Sequence, residues 1–129
     1  MEKKAKRGQS DQEILSSLIQ CTLPQLLFRQ AERFGNERVA IREKAYGIWE
    51  THSWEEYLRH VKHTGLGFIS LGFRRGENIA IVMDNHSEWL FSEIGGQAVG
   101  GVTLNLFTSA VTNELSSALN RIEAVYVIA

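Results

Sequence analysis

The residues best placed to do chemistry are Asp84-Asn85-His86-Ser87: a carboxylate, an amide, an imidazole and a hydroxyl in a row. They follow an unbroken apolar run, Ile79-Ala80-Ile81-Val82-Met83, and precede a helical pattern. Doubly wound sheets bind ligands at the carboxyl ends of core strands, and the amides at a helix start can accept an anion. The plainer account is that Asn85 or Ser87 caps the helix and His86 meets water. Thr108 and Ser109 stand in the same relation to a second apolar run, Val102 to Leu106, and are open to the same two readings. A phosphoacceptor site of the response-regulator kind would want two or three carboxylates at strand ends, and Asp84 is alone.

Three further groups carry the right residue types in the wrong context. Glu56, His60 and His63 follow one another at helical spacing, which a metal ion could use, but the spacing is not that of a zincin helix. They fall roughly opposite the apolar Tyr57, Val61, Phe68 stripe, so the expectation is a solvated face. Gly65-Leu66-Gly67-Phe68-Ile69-Ser70 resembles a dinucleotide fingerprint, yet Ser70 replaces the third glycine and the segment lies inside a helix instead of after a strand. The glycines from Gly95 to Gly101 lack the lysine of a phosphate loop, and no lysine follows Lys62. No nucleophile, base and orienting group come together in the pattern, so no catalytic, cofactor-binding or metal-binding residue is assigned.

The elements that must position these side chains follow from periodicity and stop signals. Ser10 to Gln20 could form a short helix with Ile14, Leu15, Leu18 and Ile19 on one face. Thr22-Leu23-Pro24-Gln25 is a capping box with an early proline, so a helix runs to Phe34 and Gly35 ends it. Arg38 to Arg42 and Ile48 to His52 read as a hairpin about a turn containing Gly47. Ser53-Trp54-Glu55-Glu56 repeats the capping box and opens a helix to about Leu71, stopped by Gly72, with Trp54, Tyr57, Leu58, Val61, Gly65 and Phe68 on one face. Ile79 to Met83 is then a strand covered on both faces.

His86 to Gly100 is the crossover helix, its stripe Trp89, Leu90, Glu93, Ile94, Gln97, Ala98 and Gly101. Its glycines, Gly96 and Gly100 among them, would allow close approach to the strands. Val102 to Leu106, Asn113 to Arg121 and Ala124 to Ile128 complete a βαβαβ unit, with the last strand expected to be fully buried. The fold class is therefore α/β: a β-hairpin and helices leading into a parallel-sheet unit. Residues 1–21 are a tail with a short helix, and residues 22–129 are one structural unit.

With 129 residues, 43% of them hydrophobic and 22% charged, the chain has the composition of one globular domain. A net charge of -1 gives no field to gather nucleic acid or anionic lipid. The single cysteine, Cys21, forms no intramolecular disulfide and fits a reducing, cytoplasmic compartment. Lys3, Lys4, Lys6 and Arg7 are followed by no apolar h-region, so no secretory signal is read. The uncharged stretch from Ile94 to Asn113 holds four glycines with Gln97 and Asn105, which is too polar for a transmembrane helix. An apolar sheet edge is expected to promote self-association.

Taken together, Thr22 to Phe34, Val39-Ala40-Ile41-Arg42-Glu43-Lys44 with Gly47-Ile48-Trp49, Ser53-Trp54-Glu55-Glu56-Tyr57, Asp84-Asn85-His86-Ser87-Glu88-Trp89 and Ala98-Val99-Gly100-Gly101-Val102 resemble the start of a long-chain acyl-CoA synthetase. That family belongs to the adenylate-forming, AMP-binding enzymes. The resemblance covers about Thr22 to Ala129 and implies the N-terminal part of the large domain. It also implies ATP, Mg²⁺ and coenzyme A as cofactors and a fatty acid as substrate for a full-length member. None of these is expected to bind this segment, because the phosphate loop, adenine-binding segment and mobile C-terminal domain would follow it. After Gly100-Gly101-Val102, similar proteins tend to carry a tyrosine and often a proline, where this chain reads Leu106-Phe107-Thr108-Ser109-Ala110. The reading is an inactive scaffold segment of a fatty acid–CoA ligase, cytoplasmic or peripheral at a membrane, or a non-catalytic interaction module derived from one.

Overall fold

The computed structural model describes Ser10, Gln12, Glu13, Leu15, Ser16 and residues 20–129. Gln12, Glu13, Leu15 and Ser16 are helical. Ile14, Leu18 and Ile19 of the expected N-terminal helix lie outside the described residues, as does the basic start of the chain.

Helix α1, Leu23–Phe34, begins with the capping box read from the sequence: Thr22 Oγ1 accepts from the Gln25 amide and the Gln25 side chain accepts from the Thr22 amide. Gly35 ends it at φ 50°, donating its N–H to Ala31 O at 2.8 Å. The hairpin is longer than its β-rich cores suggested. Strand β1 is Val39–Ala45 and strand β2 is Ile48–Ser53, joined by the two-residue turn Tyr46-Gly47 with φ of 50° and 84°. Two successive positive φ values give the turn whose twist matches the flanking strands.

Helix α2, Trp54–Ser70, opens with the second capping box, Ser53 with Glu56. Strand β3 is Asn78–Val82, helix α3 is Ser87–Ala98, β4 is Val102–Leu106, helix α4 is Thr112–Arg121 and β5 is Ala124–Ile128. The last three strands form a parallel sheet in the order β4-β3-β5, with Ile79 opposite Thr103 and Tyr126, and Ile81 opposite Asn105 and Ile128. Central β3 is enclosed on both faces, as its unbroken apolar run required: Ile79, Ala80 and Ile81 have no exposed surface.

Two apolar clusters hold the unit together. Leu27, Val61, Phe91 and Ile94 join α1, α2 and α3, with Ile41 of the hairpin and Trp54, Tyr57 and Leu58 around them. Phe68, Phe73, Ile79 and Ile81 join α2 to the sheet, with Tyr126 and Trp89 at their margin. Tyr126 also donates its hydroxyl to Leu71 O at 2.6 Å, tying the last strand to the end of α2.

Four expectations about faces are corrected. In α3 the buried residues are Ser87, Phe91, Ser92, Ile94, Gly95 and Gly96, while Ala98, placed in the sheet-facing stripe, is exposed. The helix is wedged between α2 and the sheet, so a single-stripe reading misses the side that meets α2. Gly95 approaches Thr64 and Gly65 of α2; Gly96 approaches Ile79 and Thr103 of the sheet. Gly100 lies beyond the helix at φ 84°, beneath the Arg75 side chain, and takes no part in the helix-to-strand contact.

Strand β5 is covered on one face only, with Val125 and Val127 each 51% exposed, because α4 buries none of its own residues and screens little of that side. His60, assigned to a solvated face, is half-buried, because β2 and α3 close over the first half of α2.

Candidate functional site

The carboxyl ends of β3 and β4 open into a cleft of about 520 Å³ that is lined by Asp84, Asn85, Trp89, Asn105, Phe107 and Thr108, with Met83 and Leu106 beneath. Strand order explains why a cleft forms there. From β3 the chain crosses by α3 to β4 on one side, and from β4 by α4 to β5 on the other. Right-handed crossovers in opposite directions put α3 and α4 on opposite faces of the sheet. The segments that leave β3 and β4 therefore diverge, and the crevice between them is the switch point at which open α/β sheets bind ligands.

Two residues singled out from the sequence meet in this cleft. The Thr108 hydroxyl donates to Asp84 Oδ1 at 2.6 Å across 24 positions of chain. Below them a polar row crosses from α3 to β4. Gln97 donates to Thr103 Oγ1 at 3.1 Å, and Asn105 donates to Glu93 Oε1 at 3.2 Å. Burial, with the nearby Glu93 carboxylate adding to it, raises the Tyr57 hydroxyl to about 12.

His86 and Ser87 are held differently from the expected cap. His86 is the N-cap of α3 by position, but its side chain makes no capping bond. Glu43 of β1 replaces it: its Oε2 accepts the Ser87 N–H at 2.9 Å and its Oε1 lies 2.5 Å from His86 Nδ1. The hydrogen bonds from His86 and Ser87 hold the Glu43 carboxyl far below its usual range, at about 2. The same bond with Glu43 raises His86. The hairpin is thereby latched to the helix start beside the cleft. No local pattern points to Glu43, since a capping box is local and this cap comes from 44 positions upstream.

The histidine-rich face of α2 does not gather into a metal centre. His60 stacks on Phe91 at 4.5 Å with the planes 8° apart, and His52 of β2 sits edge-on to both rings. Burial, then the neighbouring His52, lowers the pKa of His60. Glu56 is occupied in capping Ser53, and His63 is exposed. Among the described residues no three His, Cys, Asp or Glu side chains could share a metal ion. The Gly65 to Ser70 segment is interior helix, with Gly65 packed against α3, so it cannot cradle a dinucleotide.

The described residues thus form a hairpin, helices α1 to α4 and a parallel sheet with a switch-point cleft, the arrangement found in the N-terminal parts of adenylate-forming enzymes. Solved structures share this arrangement. Fatty acid AMP ligase from Legionella pneumophila superposes with a TM-score of 0.75 over 86% of this chain and 20% of that one, at 16% identity. The N-terminal subdomain of Klebsiella oxytoca NpsA superposes with a TM-score of 0.74 over 81% of this chain and 26% of that one, at 15% identity. The pattern common to the AMP-binding enzymes matches residues 27–129, and the chain belongs to that family.

Among its relatives, the long-chain-fatty-acid–CoA ligase ACSBG1 of Rattus norvegicus is 29% identical over 89 residues, which are 69% of this chain and 12% of the ligase. The chain thus spans about an eighth of the length of the ligases it matches.

Proposed function

We propose that these residues are the N-terminal scaffold segment of an ATP-dependent long-chain fatty acid–CoA ligase, which forms an acyl-adenylate and then the acyl-CoA. The observation that carries the reading is the family match over residues 27–129, joined to a likeness to long-chain ligases through most of that stretch. In this role residues 22–129 contribute part of the AMP-binding domain and residues 1–21 lead into it. The segment's own work is structural: it sets the first strands of a parallel sheet and latches the hairpin over their carboxyl ends.

ATP, Mg²⁺, fatty acid and coenzyme A would be bound by the complete ligase. The fit of this segment to ATP and Mg²⁺ is poor. Its one amide at the start of α3 that faces a carboxylate is already taken by Glu43, no lysine lies in the cleft, and Asp84 is its single carboxylate. By itself the segment does not adenylate a fatty acid. No helix among the described residues is long and apolar enough to cross a membrane. In the ligase reading the enzyme works in the cytoplasm or at a membrane surface.

A second reading, an interaction module without catalysis, draws on the open sheet face at Val102, Val125 and Val127. Pyrophosphate exchange with ATP and a fatty acid separates them. The 129-residue chain should give no exchange above a boiled control, and a chain extended by the downstream coding sequence should give strong exchange. Exchange by the short chain, or none by an extended chain that carries a lysine-bearing phosphate loop, would overturn the ligase assignment.

A further inference from the structure

We infer that the switch-point cleft between β3 and β4 is a binding site for a small organic cation, a primary ammonium carried on a flat apolar body. The inference does not rest on the assignment to a ligase, and its ligand is of opposite charge to a fatty acid or a nucleotide.

Three features of the cleft select this chemistry. The first is charge. Asp84 lies in its wall, Glu93 stands just behind Asn105, and Glu88 is on the first turn of α3, whereas no lysine or arginine lines it. The histidine that follows Asn85, His86, is turned to Glu43. A helix start would ordinarily favour an anion, but here the Ser87 amide already donates to the Glu43 carboxylate, which offsets the positive end of α3. What is left uncompensated at the mouth is the Asp84 carboxylate.

Geometry supplies the second feature. Thr108 donates to Oδ1 of Asp84 and fixes the carboxylate at the rim, leaving the second oxygen to accept from a ligand ammonium. A divalent metal ion would want further ligands converging at this point, and among the described residues no three His, Cys, Asp or Glu side chains could share one. An ammonium needs only one carboxylate and neutral acceptors, which the side chains of Asn85 and Asn105 can supply.

The third feature is the apolar wall. Trp89 is anchored against the Phe68, Ile79, Ile81 cluster, and Phe107 is 82% exposed beside the cleft. Two aromatic rings in the lining suit a flat hydrocarbon body and can attract a cation through their ring electrons.

The test is an NMR titration of the ¹⁵N-labelled 129-residue chain at pH 7 with phenethylamine, and in parallel with 3-phenylpropionate, which has the same ring and the opposite charge. Phenethylamine should shift the Trp89 indole N–H, the side-chain amides of Asn85 and Asn105 and the Thr108 backbone amide in a saturable manner. Phenylpropionate should leave them in place. Asp84→Asn should weaken the amine by about tenfold or more, the loss of one charge-assisted hydrogen bond. Should that variant disturb the amide spectrum, Phe107→Ala, at an exposed position outside both cores, carries the test with a smaller expected loss. Saturation by both probes alike, no saturation by the amine, or an amine affinity unchanged in both variants would overturn the inference.

Discussion

Glu43 and Ser87 lie 44 positions apart, yet the carboxylate of the first accepts the backbone N–H of the second at 2.9 Å and so begins helix α3. The helix is capped by a residue of another element, and the hairpin cannot leave without uncapping it. Glu43→Ala should therefore lower stability by about 1 kcal/mol, within the range for losing a helix N-cap. His86→Ala should cost less, since Ser87 keeps its acceptor. Urea melts of the two variants measure the difference; equal stability of Glu43→Ala and the parent chain would remove the latch.

The two histidines beside Phe91 and Glu43 respond to pH in opposite directions. His86 is raised in the folded chain, so its contribution is fully present below the ordinary histidine pKa of about 6.5 and is lost as pH rises through the higher folded value. His60 is lowered by burial, so the folded state loses stability as pH falls below about 6.5. Glu43, held near 2, keeps its stabilisation above about 4.5 and loses it only as pH drops toward that folded value. Melting temperatures from pH 4.5 to 8 should rise toward acid, relative to the parent, in His60→Phe, and fall toward acid in His86→Gln. The reverse pattern would mean that the environments of the two rings are exchanged.

Close approach of α3 to its neighbours rests on Gly95 and Gly96. A Cβ on Gly96 would sit 2.8 Å from Ile79 Cδ1 and one on Gly95 would sit 2.9 Å from the Thr64 side chain. Replacing either by leucine should cost roughly 1 to 3 kcal/mol or more, as for overpacking a filled core. Gly100→Ala should also destabilise, by about 1 kcal/mol, through its positive φ and because a Cβ there would sit 2.7 Å from Arg75 Cγ, and not through a helix-to-strand contact. His63→Ala, at an exposed position, should change stability by less than about 0.5 kcal/mol. Denaturant melts of the four variants check the ranking.

Val125 and Val127 point from β5 to the thinly covered face of the sheet, and Val102 of β4 joins them with 58% of its surface exposed. Apolar patches of this kind drive association. The 129-residue chain should dimerise or aggregate at micromolar concentration. Val125→Lys combined with Val127→Lys should shift it toward monomer, because neither side chain contributes to the buried clusters. Sedimentation velocity reads the outcome, and a clean monomer of the parent chain would show that the patch is too small to act.

Local signals in the sequence determined the elements. Both capping boxes, the glycine stop after Phe34 and the strands Val102–Leu106 and Ala124–Ile128 stand where the residues alone place them, because each depends on neighbours within about four positions or on a short periodic run. The alternation of strands and helices also fixed the parallel sheet, since strands joined through helices pair in parallel.

What only the tertiary structure decided is which faces meet. Helix α3 is buried on two sides because α2 lies on it, His60 is drawn under Phe91, and Gly100 serves a turn instead of a packing contact. Asp84 and Thr108 are adjacent only because β4 pairs beside β3, and Glu43 reaches Ser87 only because the hairpin folds back onto the start of α3. A one-dimensional pattern records how apolar a residue is but not which of several neighbours will cover it, so the carboxyl-end cleft and its latch exist only once separate elements have docked.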